Sequence, residues 1–316
     1  MSVDLCKAFD KLPHKVIIDA CHKFSLPVFV TRWIASFLDH RFQRVCYKGL
    51  TSDWIPTSSG VPQGSVLGPV LFCMATDDLS PVSDRTSLIK YADDLLFIHC
   101  VRRPCDDILQ AEWNNVERWS QLKKLPINLN KCQIMDISTR KAHVSQATHF
   151  GDGEVIQQVS SMRFLGITFS SDLKWNVHFR SVFKKASQRV FLIRNLRRSG
   201  CPQVLMIRAY LAFIRPILLY AFPAVCNAPQ YLTTRLNRIE RRVQRIIGDS
   251  PILPDLPTAA DSMCQNLMSS ILDHPQHPLR SIFLPGPSRS TRSQKVLRPP
   301  STKTSRFGQS FVKYAG

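Results

Sequence analysis

Apolar residues in the first quarter of the chain recur at helical spacing. Val30, Trp33, Ile34, Phe37 and Leu38 fall at i, i+3, i+4, i+7 and i+8, which predicts a helix from Pro27 to His40 burying that stripe. Pro27 suits its first turn. Pro13 to Phe24 reads as a preceding helix. Phe42 to Tyr47 is strand-like and leads into a loop around Trp54-Ile55-Pro56. Val66 to Leu79, mostly apolar, reads as a buried helix interrupted near its start by Gly68-Pro69. Leu88 and Ile89 lead into Tyr91-Ala92-Asp93-Asp94, and Leu95 to Ile98 lead out, which predicts a hairpin with an acidic pair at or near its tip.

Farther on, Pro104 to Leu125 is a polar amphipathic helix with Leu109, Trp113, Val116 and Trp119 facing inward. Short strands are expected at Cys132 to Ile137, Glu154 to Val159 and Phe164 to Phe169. Strands and helices mixed in this way predict an α+β body. From Arg180 to Ile247 the pattern turns helical, with Val182, Ala186, Val190 and Ile193 as a packing stripe. That segment carries fourteen Lys or Arg against one acid, Glu240, so its outer face is a candidate track for phosphates. Three regions are expected: 1–174, a mixed α/β body; 175–248, basic and helical; and 249–316, a Pro/Ser-rich basic tail too poor in apolar groups to order.

The whole chain of 316 residues holds 42 Lys and Arg against 23 acids, a formal charge of +19. Such an excess repels itself unless a polyanion neutralises it, which points to nucleic acid first and an anionic membrane surface second. The ten cysteines show neither a CxxC pair nor Cys/His knuckle spacing, and read as reduced intracellular thiols. Leu211 to Val225, the most lipid-like run, is broken by Arg215, Pro216 and Pro223, so no membrane is expected as a partner.

Adjacent carboxylates repel, so Asp93 and Asp94 set among apolar neighbours imply a shared cation or proton. Two further segments carry chemistry. Asp4, in Val3-Asp4-Leu5-Cys6-Lys7-Ala8-Phe9-Asp10, follows a β-branched residue as a carboxylate at a strand end would. Gly60-Val61-Pro62-Gln63-Gly64-Ser65-Val66-Leu67-Gly68-Pro69 frees the backbone for close approach to a ligand. In this order and at these separations, the three segments resemble motifs A, B and C of reverse transcriptases, and more narrowly those of non-LTR, LINE-type retrotransposons. Asn128-Leu129-Asn130-Lys131-Cys132 is similar to motif D, and Arg163-Phe164-Leu165-Gly166-Ile167 to motif E.

The resemblance implies an RNA-directed DNA polymerase: a palm of antiparallel strands and packed helices, then a helical thumb-like segment. Its partners would be an RNA template, a DNA primer and deoxynucleoside triphosphates. Two Mg²⁺ ions, or Mn²⁺ in their place, would be held by Asp4 and Asp93, with Asp94 as ligand or electrostatic support. Lys131 matches a lysine that protonates or neutralises the leaving pyrophosphate, although a plain surface lysine fits equally. Gln63 and Gly64 match residues lining the nucleotide and template side. Phe9 matches the aromatic that packs against the sugar and leaves no room for a ribose hydroxyl, which, with Ala92, favours deoxynucleotides over the RNA-polymerase alternative. Taken without that context, Phe9 reads as a core aromatic. Phe164, Leu165 and Gly166 resemble the primer grip, or else a plain strand, and Asp10 reads as structural, a helix cap.

Three residues precede Asp4, so the fingers region of the family is expected to be missing, the chain to be N-terminally truncated, and its activity to be weak or absent. The strand bearing Asp4 is expected to leave a neighbour in the sheet unpaired. The alternative is a catalytically inactive nucleic-acid-binding relic. Assembly in the cytoplasm and action in the nucleus are implied by the resemblance alone.

Overall fold

The structure, a computed structural model, describes residues 1–101, 108–137, 155–248 and 255–282, with the backbone of 284–285 and 297–298. Two compact units are present, Met1–Gly166 and Ile167–Gly316. The chain is a mixed α+β protein, its strands confined almost wholly to the first unit.

In the first unit, β1 (Ser2–Val3) leads into α1 (Ala8–Lys11), α2 (His14–Lys23) and α3 (Val28–Leu38). An arm of four short strands follows: β2 (Arg41–Gln43), β3 (Cys46–Tyr47), β4 (Leu50–Thr51) and β5 (Ile55–Thr57). Next come α4 (Leu67–Ala75), β6 (Thr86–Tyr91), β7 (Asp94–His99) and α5 (Leu109–Lys123). The unit ends with β8 (Gln133–Ile134), β9 (Gln157–Gln158) and β10 (Ser161–Phe164).

One five-stranded sheet, ordered β6-β7-β1-β8-β9, organises this unit. Period-two burial sets its faces: Val3, Leu5, Leu95 and Phe97 are buried in a core shared with Ile17, Leu71, Phe72, Trp113 and Val116 of the helices. Contrary to the sequence expectation, β1 leaves no neighbour unpaired. It lies between β7 and β8, and Met1 adds two bonds of its own to Phe97, through its amine and its carbonyl. Two residues suffice because both edges are bonded.

Trp33, expected in the core stripe of α3, is exposed, while Ile34 and Leu38 of the same stripe are buried. Phe164 to Phe169 is not one strand either. Leu165 and Gly166 both take positive φ, 46° and 80°, a turn between β10 and β11 (Ile167–Ser170).

The second unit is helical beyond β11: α6 (Asn176–Arg198), α7 (Gln203–Phe213), α8 (Arg215–Leu219), α9 (Phe222–Val225), α10 (Gln230–Ile247) and α11 (Leu256–Asp273). Ala186, Val190 and Ile193 are buried as their spacing predicts. By length and composition alone Gln203–Val225 would cross a bilayer, but the fold divides it into three helices, with Ala221 at φ +50° between the last two. Helix α11 corrects the expectation of a tail without order from residue 249. Leu256, Ala260, Cys264, Met268 and Ile271 bury one face, and Asp255 caps its start through the amide of Thr258. The rest of that expected tail lies largely outside the described residues.

The glycine loop between β5 and α4 is held against α1 by main-chain bonds: Gly60 N–H donates to Leu12 O at 2.7 Å and Val61 N–H to Phe9 O at 2.8 Å. A Cβ on Gly60, which sits at φ +84°, would lie 2.6 Å from Asp10 O and 2.7 Å from Phe9 O. Gly64 shares the positive φ but faces open space. Gly60→Ala is therefore expected to cost roughly 3 kcal/mol or more, from backbone atoms that cannot yield, and Gly64→Ala only about 1 kcal/mol. Urea unfolding of the two variants measures the difference, and equal midpoints would contradict it.

Candidate active site

Strands β6 and β7 pair from Thr86↔His99 to Tyr91↔Asp94, which leaves Ala92 and Asp93 as a two-residue turn. Ala92 sits at φ +54°, in the region glycine prefers, so the tip holds backbone strain. Strand β1 runs antiparallel to β7 with Ser2↔Leu96 and Val3↔Leu95. Continued by one residue, that register sets Asp4 across from Asp94. Since Val3 and Leu95 point into the core, Asp4 and Asp94 share the opposite face.

The electrostatics record this proximity. Partial desolvation raises the Asp94 carboxyl above the usual carboxylate range, and the charges of Asp93 and Asp4 raise it further. On the other side of β1, Asn128 N–H donates to Asp4 O at 2.8 Å, and the following turn places Lys131 Nζ 3.5 Å from Asp4 Oδ2. Cys132, buried behind them, is a neutral thiol, pushed up to about 11 by desolvation and by the Asp4 charge. Asp4, Asp93, Asp94 and Lys131 thus gather at one end of the sheet.

The other expected site residues lie on the α1 and α4 side. Phe9 is partly buried and stacks on Phe72 of α4, ring centroids 4.4 Å apart. Gln63 donates through Nε2 to Asp10 Oδ1 at 2.8 Å, and Ser59 Oγ donates to Asp10 O at 3.0 Å. Asp10 is no helix cap, as sequence suggested; α1 has Lys7 at its cap position and Asp10 in its first turn, anchoring the glycine loop. Gly64 is exposed at that loop's turn. Phe164 is buried in β10, and Leu165 and Gly166 form the turn that ends the first unit, apart from the strands bearing the carboxylates.

Two positioning residues escaped the sequence reading. Lys90, beside the hairpin tip, donates through Nζ to Thr76 O, Asp77 O and Leu79 O at 3.2, 2.9 and 3.2 Å, capping the C-terminal end of α4. Glu112, fully buried on α5, accepts the amides of Val82 and Ser83 ahead of β6. Both hold the approach to the acidic hairpin. Neither has a local signal, since their acceptors and donors are main-chain atoms of other elements.

Among the described residues no group of three or more His, Cys, Asp or Glu side chains is drawn together tightly enough to hold a metal ion. The donor chemistry nonetheless suits a hard divalent cation: three carboxylates, one of them held above the usual range by partial desolvation and then by the charges of the other two. Such repulsion has a sign. A carboxyl whose folded value is raised favours folding below its unfolded range and opposes it as pH climbs through the folded value. At neutral pH, Asp94→Asn is expected to stabilise the protein by up to about 1 kcal/mol. The gain should vanish as pH falls below the ordinary carboxylate range, and a variant that melts lower than wild type at pH 7 would contradict this.

Residues 1–169 match the family model described as Reverse transcriptase (RNA-dependent DNA polymerase). The chain is similar to the RNA-directed DNA polymerase from mobile element jockey of Drosophila melanogaster, 23% identical over 89% of this chain and 33% of the relative. It is likewise similar to the probable RNA-directed DNA polymerase from transposon BS of the same species, at 26% over 79% and 29%. A third relative, the retrovirus-related Pol polyprotein from type-1 retrotransposable element R2 of Popillia japonica, is 26% identical over 54% and 30%. The chain spans about a third of the length of these relatives. With more than half of its residues inside the family model, and with relatives from mobile elements of the jockey and R2 kinds, the chain belongs to the reverse transcriptase family, on the branch of the non-LTR retrotransposons.

Proposed function

We propose that this chain carries the catalytic palm of an RNA-directed DNA polymerase that adds deoxynucleotides to a DNA primer on an RNA template. The observation that carries the reading is the register that sets Asp4 across from Asp94, one residue from Asp93. In this reading Asp4 and Asp93 hold divalent cations, with Asp94 as a third ligand or as supporting charge. The strand register sets Asp4 beside Asp94, and Asp93 adjoins them in the turn. Bound Mg²⁺, or Mn²⁺, supplies the Lewis-acid charge that lowers the pKa of the primer hydroxyl and offsets charge at phosphorus.

The same reading gives the remaining residues their roles. Lys131, whose Nζ lies 3.5 Å from Asp4 Oδ2, would donate charge or a proton to the leaving pyrophosphate. Phe9, its ring fixed by stacking on Phe72, presents an edge to the sugar and selects against a ribose hydroxyl. Gln63 and Gly64 line the nucleotide and template side. Phe164, Leu165 and Gly166 serve as the primer grip, and the second unit as a thumb-like module. Arg235, Arg238, Arg241, Arg242 and Arg245 all lie on the exposed face of α10, which also supports a second reading, a nucleic-acid-binding relic without catalysis.

Two measurements separate these readings. Primer extension with deoxynucleotides and Mg²⁺ tests the chemistry directly. Whatever extension the chain shows should fall to background in Asp4→Ala and in Asp93→Ala. Independently of turnover, Mg²⁺ should raise the melting temperature of wild type and not of Asp93→Ala. Extension that survives both substitutions would refute the carboxylate assignment. Cation-dependent stabilisation with no extension under any condition would favour the relic.

A further inference from the structure

Between α3 and the glycine loop, the chain leaves the core altogether. Every residue from Asp39 to Pro56 is exposed, in an arm of two antiparallel ladders, β2 with β5 and β3 with β4. Lys48 and Gly49 close its tip at φ +48° and +83°, the turn that matches strand twist. A two-stranded ribbon with no buried face is marginal in water, so its side chains are placed for something other than folding.

Those side chains pair cations with rings. The Arg41 guanidinium lies 5.3 Å from the Phe37 centroid, Arg44 lies 4.6 Å from Trp54, and Lys48 Nζ lies 5.4 Å from Tyr47. Significant pairs of this kind occur about once per 70–80 residues, so three between Phe37 and Trp54 is a concentration that ordinary surface composition does not account for. The register Phe42↔Pro56, continued by two residues, sets Arg44 across from Trp54. Phe42, Arg44, Trp54 and Pro56 therefore share one face: a ring, a guanidinium, a second ring and a proline, all open to solvent. Phe42, Tyr47 and Trp54 are each more than half exposed. Residues 41–57 hold three cations and one acid.

We propose that this arm is a binding surface for single-stranded nucleic acid, with unpaired bases stacking on Trp54 and Phe42 while Arg44, Arg41 and Lys48 take the phosphates. Rings without charge would suit an apolar protein partner, and charge without rings would suit duplex backbone. The two interleaved suit a strand whose bases are free, because any base has a face to stack and every linkage carries a charge. The second strand of the arm runs through Ser59 directly into the loop at Gly60, so a strand held here is delivered toward Gln63 and Gly64. The inference rests on the arm's own rings and charges and not on the carboxylates.

The test is equilibrium binding of the whole chain, without divalent cations, to a fluorescent 12-nucleotide RNA, its DNA equivalent, and a blunt RNA duplex of the same length. Trp54→Ala should weaken both single strands by about tenfold and leave the duplex unchanged. Trp54→Phe, which keeps a ring, should restore most of the loss, and Asp93→Ala should have no effect, so failure of the polymerase reading would not be mistaken for failure of this one. Trp54 is exposed, so its removal leaves no cavity, and an unaltered melting temperature checks this. Equal single-strand affinity in wild type and Trp54→Ala would overturn the proposal. So would loss of duplex and single strand alike, or a wild-type dimer, formed without nucleic acid, that Trp54→Ala dissociates.

Discussion

The pairing of Val3 with Leu95 governs the candidate site. Four buried side chains, Val3, Leu5, Leu95 and Phe97, fix the register of β1 on β7, and period-two geometry turns that register into the position of every polar group on the other face. A slip of β1 by one residue would drive Asp4 toward the core and expose Val3 and Leu5, while β7 stays fixed by its own pairing with β6. Burying a carboxylate without a partner costs several kcal/mol and exposing each apolar side chain costs about 1.5–3, so the slipped register is strongly disfavoured. The acids therefore need no attraction between them to meet. The core brings them together against their mutual repulsion.

Helix α4 carries the same constraint to the rest of the site. Its Phe72 supports Phe9 just after the strand of Asp4. The carbonyls of Thr76, Asp77 and Leu79, just past its C-terminal end, receive Lys90 just before the acidic turn. The loop that enters it is bonded to Phe9, Asp10 and Leu12. Segments far apart in sequence are thus referred to one buried helix, with Leu71, Phe72 and Ala75 in the common core. Close-packed interiors deform little, so this arrangement limits how far any one segment can drift from the others.

What was legible in the sequence were features with a period or a local chemical signature. The acidic hairpin, helices α2, α3 and α5, and the buried stripe of α6 follow from alternation of two or of 3.6. Asp4 could be singled out as a candidate site residue by resemblance, but its pairing partner could not, because register depends on which strands become neighbours. Lys90, Glu112 and the Gln63 to Asp10 bond were not legible for the same reason: each joins residues separated along the chain, the first two through main-chain partners that carry no sequence signal. Trp33 failed differently. The face of α3 that is buried runs through Thr31, Ile34 and Leu38, turned away from the centre of the apolar stripe, so Trp33 is left out.

The second unit shows why composition misjudged α11. Among the many cations of this unit, Arg215 is buried, and it shares its surroundings with Glu240 and Tyr210, the Tyr210 hydroxyl donating to Glu240 Oε1 at 2.8 Å. The other oxygen of Glu240 accepts the amide of Leu256, the first residue of α11, at 2.9 Å. A buried carboxylate left with a free lone pair costs more than one fully bonded, so Glu240 gains from an amide arriving there. That single acid in a basic helical segment, which charge counting treats as a minor offset, instead joins α7, α10 and α11. Leu256 enters the core with its amide so engaged, and Ala260, Cys264 and Met268 follow at successive turns. The start of α11 is thus tied to a buried side chain of α10, a link that a count of prolines and serines cannot register.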